Sequence, residues 1–252
     1  MRLLALNIGN TTLSGGVFSG SRLISRFRIP RTLPAAALAE KLGRQLRGRI
    51  DLTVVCSVVP ALTPRVSSLL NRRLGTMPLV LDSRADHGLS IGYRRPSQLG
   101  TDRLAAALGA QARHPGKNLI IVDCGTATTV TAVGASGRLF GGAIIPGVAL
   151  WAEALARRTA QLPLVSPRAS VKALGRSPKE AIASGLHHGH AGAIAQLVGR
   201  VAREAFGDET YLVLGTGGNA ARFVREKLFT RLEPDLILHG LRAFAAGIHD
   251  HV

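Results

Sequence analysis

The sequence predicts an α/β protein built from two similar domains, and three observations lead to this prediction. Strand-like apolar runs alternate with segments whose apolar residues recur at helical spacing. The residues Leu6–Thr12, at the end of the first strand, match Val122–Thr128, at the end of a later strand. A Pro-Gly pair at 115–116 separates the two copies, so we expect similar domains over 1–115 and 116–252 with a cleft between them.

The first half is predicted to open with strands and to continue with alternating helices and strands. The opening hairpin pairs the apolar run Leu3–Ile8 with Gly16–Phe18 across a turn that carries glycine and two threonines. Pro34 begins the first predicted helix, a position that proline favours. Asp102 begins the last helix of this half, where its charge suits the positive end of the helix dipole. The further predicted strands are 23–29, 53–58 and 78–81, and the predicted helices are 34–46, 62–74 and 102–113.

The second half begins with the same pattern. The predicted strand Asn118–Val122 leads into the sequence DCGTATT, and two further strands follow. Predicted strands are 118–122, 130–133, 139–145, 211–214 and 236–238. Predicted helices are 148–159, 179–206, 219–228 and 241–248. This restart of the strand pattern predicts an internal duplication.

The composition is that of a globular chain with an excess of positive charge. Hydrophobic residues make up 46% of the 252 residues and charged residues 19%, so the chain can bury a core. The formal net charge is +17, but the arginines are scattered and no basic stripe with interleaved aromatic residues is present. We therefore expect no sequence-specific nucleic-acid partner, whereas anionic small substrates suit this charge.

Cysteine usage and hydropathy predict a cytoplasmic protein. Cys56 and Cys124 both lie in apolar strand-like runs and do not make a disulfide framework. The start, MRLLALNIG, becomes polar too early for a secretory signal. No apolar run reaches the roughly 18 residues that a membrane span needs. We therefore expect no membrane partner.

Both copies of the repeated turn carry residues that can hold a phosphate. Glycine allows backbone N–H groups to approach phosphate oxygens closely, and threonine hydroxyls add donors. Asp123, at the strand end of the second copy, can hold a metal ion directly or through water. A single turn of this type is as often a plain tight hairpin. Two copies at the start of two similar halves favour phosphate binding.

A third glycine-rich segment, Leu214–Ala220, reads LGTGGNA and lies between a predicted strand and a predicted helix. Taken alone, such a segment is more often a simple connector. Bare backbone at a helix N-terminus can also hold a nucleotide. Together with the two hairpins, this segment predicts the adenosine side of an ATP cleft.

These motifs follow the order found in the type III pantothenate kinases, which this chain resembles over nearly its whole length. That family belongs to the superfamily of acetate kinase, sugar kinases, Hsp70 and actin. The resemblance thus implies two actin/ribonuclease H-like domains, each a mixed sheet flanked by helices. The most specific matches are LGTDR at 99–103 and DCGTATT at 123–129. The other matching stretches are LNIGNTT (6–12), YRRPSQLG (93–100), GRLFGGAIIPG (137–147), TAQLP (159–163), LGRSPKEAIASG (174–185) and TGG (216–218).

The resemblance implies ATP-dependent phosphorylation of pantothenate to 4′-phosphopantothenate, the first step of coenzyme A synthesis. Asp102 corresponds to the family's acceptor of the proton from the primary hydroxyl, although its position also suits a helix N-cap. Arg103 corresponds to the partner of the pantothenate carboxylate. Tyr93, Gly100 and Thr101 would line the substrate pocket, unless Tyr93 is an ordinary half-buried strand residue.

The resemblance also implies an ATP site that uses Mg²⁺ and a monovalent cation, K⁺ or NH₄⁺. Asp123 corresponds to the ligand of the monovalent cation. Members of the family are homodimers in which the partner subunit completes the substrate pocket, and the region 159–185, with Ser177 and Pro178, would supply that share. The implied ATP-binding residues are Asn7, Ile8, Gly9, Asn10, Thr11, Thr12, Leu13, Ser14, Thr126, Gly217 and Gly218.

Two residues depart from the family pattern. Asn7 replaces the aspartate of the first hairpin, and its amide brings no negative charge to a magnesium ion, although Asp102 and Asp123 could hold the metal instead. Pro178 replaces a threonine that reaches toward pantothenate, and proline lacks both the hydroxyl and the backbone N–H. The neighbouring Ser177 offers a substitute hydroxyl.

These departures leave three functions open. The first is pantothenate phosphorylation. The second is a catalytically weakened relative that keeps nucleotide binding and has a regulatory or interaction role, since the family includes a member first described as an accessory factor for transcription. The third, which Pro178 suggests, is a kinase of the same fold that acts on another small hydroxyl compound.

A histidine cluster at His187, His188 and His190 raises the question of a metal site. His187 and His190 are three residues apart, so they share one face of a helix. No cysteine or carboxylate lies nearby in the sequence to complete a site. A core or solvated role is therefore favoured.

Overall fold

A computed structural model describes residues 1–46, 48–168 and 171–249, and the chain divides into two compact units. Unit 1 comprises Met1–His114 and the C-terminal segment from Leu236, and unit 2 comprises Pro115–Asp235. The sequence places the division at nearly the same point. It also places the C-terminal segment in the second domain, whereas in the structure this segment groups with unit 1.

Unit 1 contains a five-stranded sheet in the order β3-β2-β1-β4-β5. β1 (Arg2–Ile8), β2 (Thr12–Ser19) and β3 (Arg22–Pro30) pair in antiparallel fashion, and β4 (Leu52–Ser57) and β5 (Leu79–Val80) extend the sheet in parallel. A short strand, β6 (Ser90–Ile91), follows. The helices are α1 (Ala35–Gln45), α2 (Thr63–Leu74), a 3₁₀ turn (Pro96–Gln98), α3 (Thr101–Arg113) and α7 (Leu236–His249).

Unit 2 repeats this arrangement in the order β9-β8-β7-β10-β11. β7 (Asn118–Cys124), β8 (Ala127–Val133) and β9 (Arg138–Pro146) are antiparallel, and β10 (Tyr211–Thr216) and β11 (Arg231–Leu232) are added in parallel. Its helices are α4 (Val148–Arg158), α5 (Pro178–Ser184), a π-helical turn (Gly185–Gly189), α6 (His190–Phe206) and a 3₁₀ helix (Ala220–Glu226). The matching strand orders and directions confirm the predicted pair of similar α/β domains.

Each unit has its own apolar core, because the strands bury alternating or continuous apolar residues against helices. In unit 1, Leu4, Leu6 and Ile8 of β1 pack with Leu42 of α1 and Leu70 of α2. In unit 2, residues of β7 and β8 pack with one face of α6. β1 and β7 are interior strands of their sheets, and each of the two repeated turns follows the end of one of them. No helix in the described part of the chain is long and apolar enough to cross a membrane.

Three sequence predictions differ from the structure. The predicted helix 179–206 is divided by the π-helical turn into α5 and α6, and the predicted helix 219–228 is a 3₁₀ helix. The predicted strand 236–238 is wrong, because α7 begins at Leu236. Its buried side chains recur at helical rather than strand spacing, at Leu238, Leu241 and Ala245.

Helices α3 and α7 pack closely through two glycines. A Cβ atom at Gly240 would lie 1.7 Å from the Ala105 carbonyl oxygen, and one at Gly109 would lie 2.1 Å from the Leu236 carbonyl oxygen. This close approach explains why the C-terminal segment belongs to unit 1, since the helix that it forms is held against α3.

Candidate active site

The first repeated turn is closed by a backbone hydrogen bond and capped by an arginine. The Gly9 amide donates to the Thr12 carbonyl at 2.9 Å. The Arg31 amide donates to the Thr11 carbonyl at 2.8 Å, and the Arg31 guanidinium donates to the Asn10 carbonyl. Arg31 is a cation beside a predicted phosphate turn that the sequence reasoning missed, because it is about twenty residues away along the chain.

The predicted ATP-binding residues of this turn fall into three groups by their exposure. Ile8 and Leu13 are fully buried, so only their backbone groups could face a ligand. Asn7 and Ser14 are paired across the hairpin and half-buried. Asn10 and Thr11 are exposed at its tip.

Asn7 makes a side-chain contact with the neighbouring parallel strand. The Cys56 thiol donates to Asn7 Oδ1 at 3.3 Å, and the two residues are direct partners in the pairing of β1 with β4. Burial and the nearby Asp102 charge raise the pKa of the Cys56 thiol well above its usual value, so it remains a neutral donor. Cys56 therefore belongs to the surroundings of Asn7, although the sequence shows it only as an apolar strand residue.

Thr101 anchors the start of α3 to the end of β4. Its hydroxyl accepts a hydrogen bond from the Ser57 amide at 3.1 Å and donates one to the Ser57 carbonyl at 2.8 Å. These bonds satisfy backbone groups where the strand ends. Thr101 thus has a positioning role in the structure, and Ser57 was not identified from the sequence.

Asp102 lies in the first turn of α3 but is not its N-cap, which is Gly100. Its Oδ1 accepts a hydrogen bond from the Arg103 amide at 2.8 Å. A Cβ atom at Gly100 would lie 2.6 Å from the same oxygen, so glycine leaves room for the carboxylate. Burial raises the pKa of Asp102, and the hydrogen bond and charge of Arg103 only partly oppose this effect.

Arg103 and Tyr93 form a pair beside this carboxylate. Arg103 is only 7% exposed and donates a hydrogen bond to the Tyr93 hydroxyl, while its guanidinium carbon lies 5.5 Å from the centre of the Tyr93 ring. Tyr93 lies in a bend two residues after β6, not in a strand. The structure thus brings Tyr93, Gly100, Thr101, Asp102 and Arg103 together in unit 1.

In unit 2, the second repeated turn and the glycine-rich segment are in direct contact. The Asn219 amide donates to the Cys124 carbonyl at 2.9 Å. Gly217 has φ +85°, and a Cβ atom there would lie 2.2 Å from Asp123 Oδ1. The structure therefore places two predicted parts of the ATP site, Asp123 and the Gly217–Gly218 turn, against each other.

A third segment supports the same turn from another side. The Gly147 amide donates to the Thr126 carbonyl at 3.0 Å. A Cβ atom at Gly147 would lie 2.3 Å from that oxygen, so the close contact requires glycine. The matching stretch GRLFGGAIIPG ends with this residue, but the sequence alone did not indicate its contact.

The two repeated turns differ in length. In unit 1, Ile8 pairs with Leu13, which leaves the four residues 9–12 in the turn. In unit 2, Cys124 pairs with Thr128, which leaves the three residues 125–127. The equivalent positions Asn7 and Asp123 therefore precede turns of different shape, so the two turns need not bind in the same way.

His187 and His190 are buried and His188 is half-buried, in keeping with a core role, and a carboxylate that is distant in the sequence lies beside His187. His187 is 3% exposed, and its Nε2 lies 2.8 Å from Glu226 Oε1, in the 3₁₀ helix 39 residues later. His188 Nε2 lies 2.9 Å from the Val171 carbonyl oxygen. No group of three or more metal-ligating side chains occurs within residues 1–46, 48–168 and 171–249.

Ser177 and Pro178 form the start of α5. Ser177 is the N-cap, and its hydroxyl accepts a hydrogen bond from the Glu180 amide at 3.3 Å. Pro178 occupies the first helical position, where the missing N–H leaves no intrahelical hydrogen bond unmade. The departure at Pro178 is therefore compatible with the local fold, whereas the Ser177 hydroxyl is already engaged in a cap.

Comparison with known proteins identifies one family. The family model for type III pantothenate kinase matches residues 3–200. A type III pantothenate kinase from Legionella pneumophila is 36% identical over 253 residues, with 96% of this chain and 98% of that protein covered. Type III pantothenate kinase 1 of Francisella tularensis is 37% identical over 250 residues, with 95% and 97% covered. Relatives named in this way lend no support to the alternative of a regulatory paralogue.

Solved structures show the same fold at low sequence identity. A Baf family transcriptional activator from Campylobacter jejuni has a TM-score of 0.62 at 16% identity, with 98% of this chain and 99% of that chain covered. A 2-dehydro-3-deoxygalactonokinase protein from Sinorhizobium meliloti has a TM-score of 0.58 at 12% identity, with 98% and 99% covered. These similarities support the predicted fold class of two mixed sheets flanked by helices.

Proposed function

Because this chain belongs to the type III pantothenate kinase family, we propose that it transfers the γ-phosphoryl group of ATP to the primary hydroxyl of pantothenate. The observation that carries the proposal is the similarity to curated type III pantothenate kinases over 96% of the chain. The product of this reaction is 4′-phosphopantothenate, which opens coenzyme A synthesis.

Asp102 is the proposed acceptor of the hydroxyl proton. A carboxylate whose pKa is raised by burial is, once ionised, a stronger base than an ordinary one. The Arg103 amide holds one carboxylate oxygen, which orients the other. Phosphoryl transfer depends mainly on such positioning and on stabilisation of charge.

Arg103 is the proposed partner of the pantothenate carboxylate, with Tyr93, Gly100 and Thr101 beside it. The Tyr93 hydroxyl and ring limit the positions that the guanidinium can adopt, which favours a defined geometry for a carboxylate ligand. Thr101 contributes by fixing the first turn of α3 to Ser57.

ATP is proposed to bind through the residues named from the resemblance: Asn7 to Ser14, Thr126, Gly217 and Gly218. The turn in unit 1 offers backbone groups and the Arg31 cation. In unit 2, Gly217 lies close to Asp123 and Cys124, and Thr126 belongs to the turn that follows them. Bare backbone and positive charge of this kind suit phosphate groups.

The metal ions follow from the same proposal. Mg²⁺, when bound, neutralises phosphate charge. The described residues hold no cluster of three or more ligating side chains, so Mg²⁺ would take most of its ligands from ATP and water, with Asn7 as a neutral neighbour. Asp123 is the proposed ligand of a K⁺ or NH₄⁺ ion, for which its half-buried carboxylate supplies charge.

A homodimer is also proposed, in which residues 159–185 of one subunit complete the substrate pocket of the other. The support is the family resemblance of this region, including TAQLP and LGRSPKEAIASG. The Ser177 hydroxyl is engaged as an N-cap. Contacts of this subunit with the partner's substrate near Pro178 would therefore come from other residues of the region 159–185.

An assay of ADP release tests the function, with pantothenate, Mg²⁺ and either K⁺ or NH₄⁺. The parent protein should show turnover that requires pantothenate, and Asp102→Asn should lose it. Asp208→Asn is a matched control, because Asp208 is an exposed carboxylate that follows α6, and it should leave turnover unchanged. ATP turnover with other alcohols but not with pantothenate would refute the proposed substrate.

A further inference from the structure

His190 contacts three segments that surround the second repeated turn of unit 2. It is the first residue of α6, is fully buried, and directly follows the π-helical turn Gly185–Gly189. π-helical turns are rare in proteins, and those that do occur are often found at functional sites. The surroundings of His190 are therefore informative about the nucleotide site.

The first contact is a hydrogen bond to the strand that leaves the turn. His190 Nε2 lies 3.0 Å from Thr128 Oγ1, and Thr128 is only 1% exposed. Thr128 pairs with Cys124 across the hairpin. The bond therefore holds the strand residue that closes the turn 125–127, which contains Thr126 and follows Asp123 by one residue.

The other two contacts of His190 are aromatic: its ring stacks on Phe223 and meets Trp151 edge-on. His190 stacks on Phe223 with ring centres 5.4 Å apart, and Phe223 belongs to the 3₁₀ helix that follows the Gly217–Gly218 turn. The Trp151 and His190 rings meet edge-on with their centres 5.1 Å apart, and Trp151 lies on α4, the helix whose N-cap is Gly147. One side chain thus contacts the strand that follows the second repeated turn and the two helices that follow Gly147 and the Gly217–Gly218 turn.

The direction of the hydrogen bonds can be assigned from chemistry. Burial lowers the pKa of His190, so its ring is neutral at neutral pH and carries a single N–H. His190 Nδ1 has no hydrogen-bond partner among the described residues, so the N–H is assigned to Nε2, where it donates to Thr128 Oγ1.

We propose that His190 is a positioning residue that, through Thr128, holds the turn 125–127 in the shape that binds the phosphates of a nucleotide. This inference rests on one part of the proposed function, the binding of a nucleotide. It does not require pantothenate to be the substrate. A histidine that served only the core would affect stability when replaced, but it would not selectively change nucleotide affinity.

The test is the affinity of a non-hydrolysable ATP analogue with Mg²⁺, measured by calorimetry. Thr128→Val removes the hydroxyl at nearly constant shape, and His190→Phe keeps the ring and its stacking but removes both nitrogens. Each variant should bind the analogue at least about tenfold more weakly, since each breaks the hydrogen bond that holds the turn 125–127 in its binding shape. The double variant should be no weaker than the single ones, because both changes break one bond.

Two control variants separate positioning from general loss of packing. Thr128→Ser keeps the hydroxyl and should bind like the parent protein. Thr53→Val makes the same substitution at a strand threonine of unit 1 that is fully buried and whose hydroxyl has no partner among the described residues. It should leave analogue affinity unchanged.

The outcomes distinguish this inference from the proposed function. If Thr128→Val and His190→Phe are folded and bind the analogue within twofold of the parent protein, or if the parent protein does not bind it, the inference fails. If His190→Phe does not fold, the comparison of Thr128→Val with Thr128→Ser decides the matter. Analogue binding that depends on Thr128, without any turnover of pantothenate, would refute the proposed substrate and leave the inference supported.

Discussion

The thiol of Cys56 donates a hydrogen bond to the side-chain oxygen of Asn7 across the parallel strands β1 and β4, at 3.3 Å. This relationship shows how the chain accommodates an amide at a position where its family has an aspartate. The neutral Cys56 thiol and the neutral Asn7 amide form a hydrogen bond at a partly buried position. A carboxylate there would add negative charge near Asp102, whose charge already raises the pKa of Cys56.

Asn7→Asp should increase the rate of pantothenate phosphorylation if a carboxylate near Mg²⁺-bound ATP is what the family pattern supplies. A charge-assisted hydrogen bond is worth about 1.5–3 kcal/mol, so the gain in kcat/KM for ATP should be roughly 10- to 100-fold. The measurement is ADP release at varied ATP and Mg²⁺. Asn71→Asp on α2 adds the same charge elsewhere in unit 1 and should leave the rate unchanged. Equal rates for parent and Asn7→Asp would show that the amide is functionally sufficient.

Asp102→Asn should lower kcat by roughly 10²- to 10⁴-fold, the range typical of a lost general base. In the parent protein, burial places the pKa of Asp102 above its ordinary value of 3.8. The base is active when ionised, so kcat/KM should fall as the pH drops through that raised pKa. A pH–rate profile with no such acid limb, or an Asp102→Asn variant that keeps full activity, would argue against the assigned role.

The same substitution should stabilise the protein at neutral pH. Because the folded pKa of Asp102 is raised, the folded state binds more protons than the unfolded state between the ordinary and the raised pKa. Stability therefore falls as the pH rises through this window, and above it the ionised carboxylate is destabilising. Asp102→Asn removes this effect, so its melting temperature should exceed that of the parent at pH 7. A lower melting temperature than the parent at pH 7 would contradict the assignment.

Gly217→Ala should disrupt the contact of the glycine-rich turn with Asp123. The residue has φ +85°, and the new Cβ atom would meet Asp123 Oδ1 at 2.2 Å. We expect a loss of nucleotide affinity of at least about tenfold, together with the 1–2 kcal/mol or so that a left-handed alanine costs. Gly75→Ala is the matched control, because Gly75 has φ +74° and open space around it. Gly75→Ala should lower the melting temperature, measured by thermal unfolding. It should leave nucleotide affinity, measured by calorimetric titration, unchanged.

Ser177→Ala and Pro178→Thr should separate capping from substrate contact at the start of α5. Ser177 caps the helix, so its replacement should cost about 1 kcal/mol and lower the melting temperature by about 2–4 °C. Pro178→Thr restores the hydroxyl of the family pattern and should lower KM for pantothenate. A raised KM for pantothenate in Ser177→Ala, without loss of stability, would instead assign this hydroxyl to the substrate.

The sequence alone determined the repeated α/β architecture and most helices and strands, because apolar periodicity and glycine turns are local signals. The matching turns at Asn7 and Asp123 indicate the duplication from the sequence alone. The same local signals misassigned Leu236–Leu238 as a strand, because the burial of that segment is imposed by the glycine contact of α7 with α3.

Only the tertiary structure decided which side chains hold the predicted site residues in place. Cys56 beside Asn7, Ser57 beside Thr101, and Glu226 beside His187 are each about forty or more residues apart in the chain. Hydrogen bonds across such separations depend on strand pairing and helix packing, which no local pattern encodes. For that reason the sequence could nominate Asp102 as a base, while the burial that raises its pKa is a property of the folded chain.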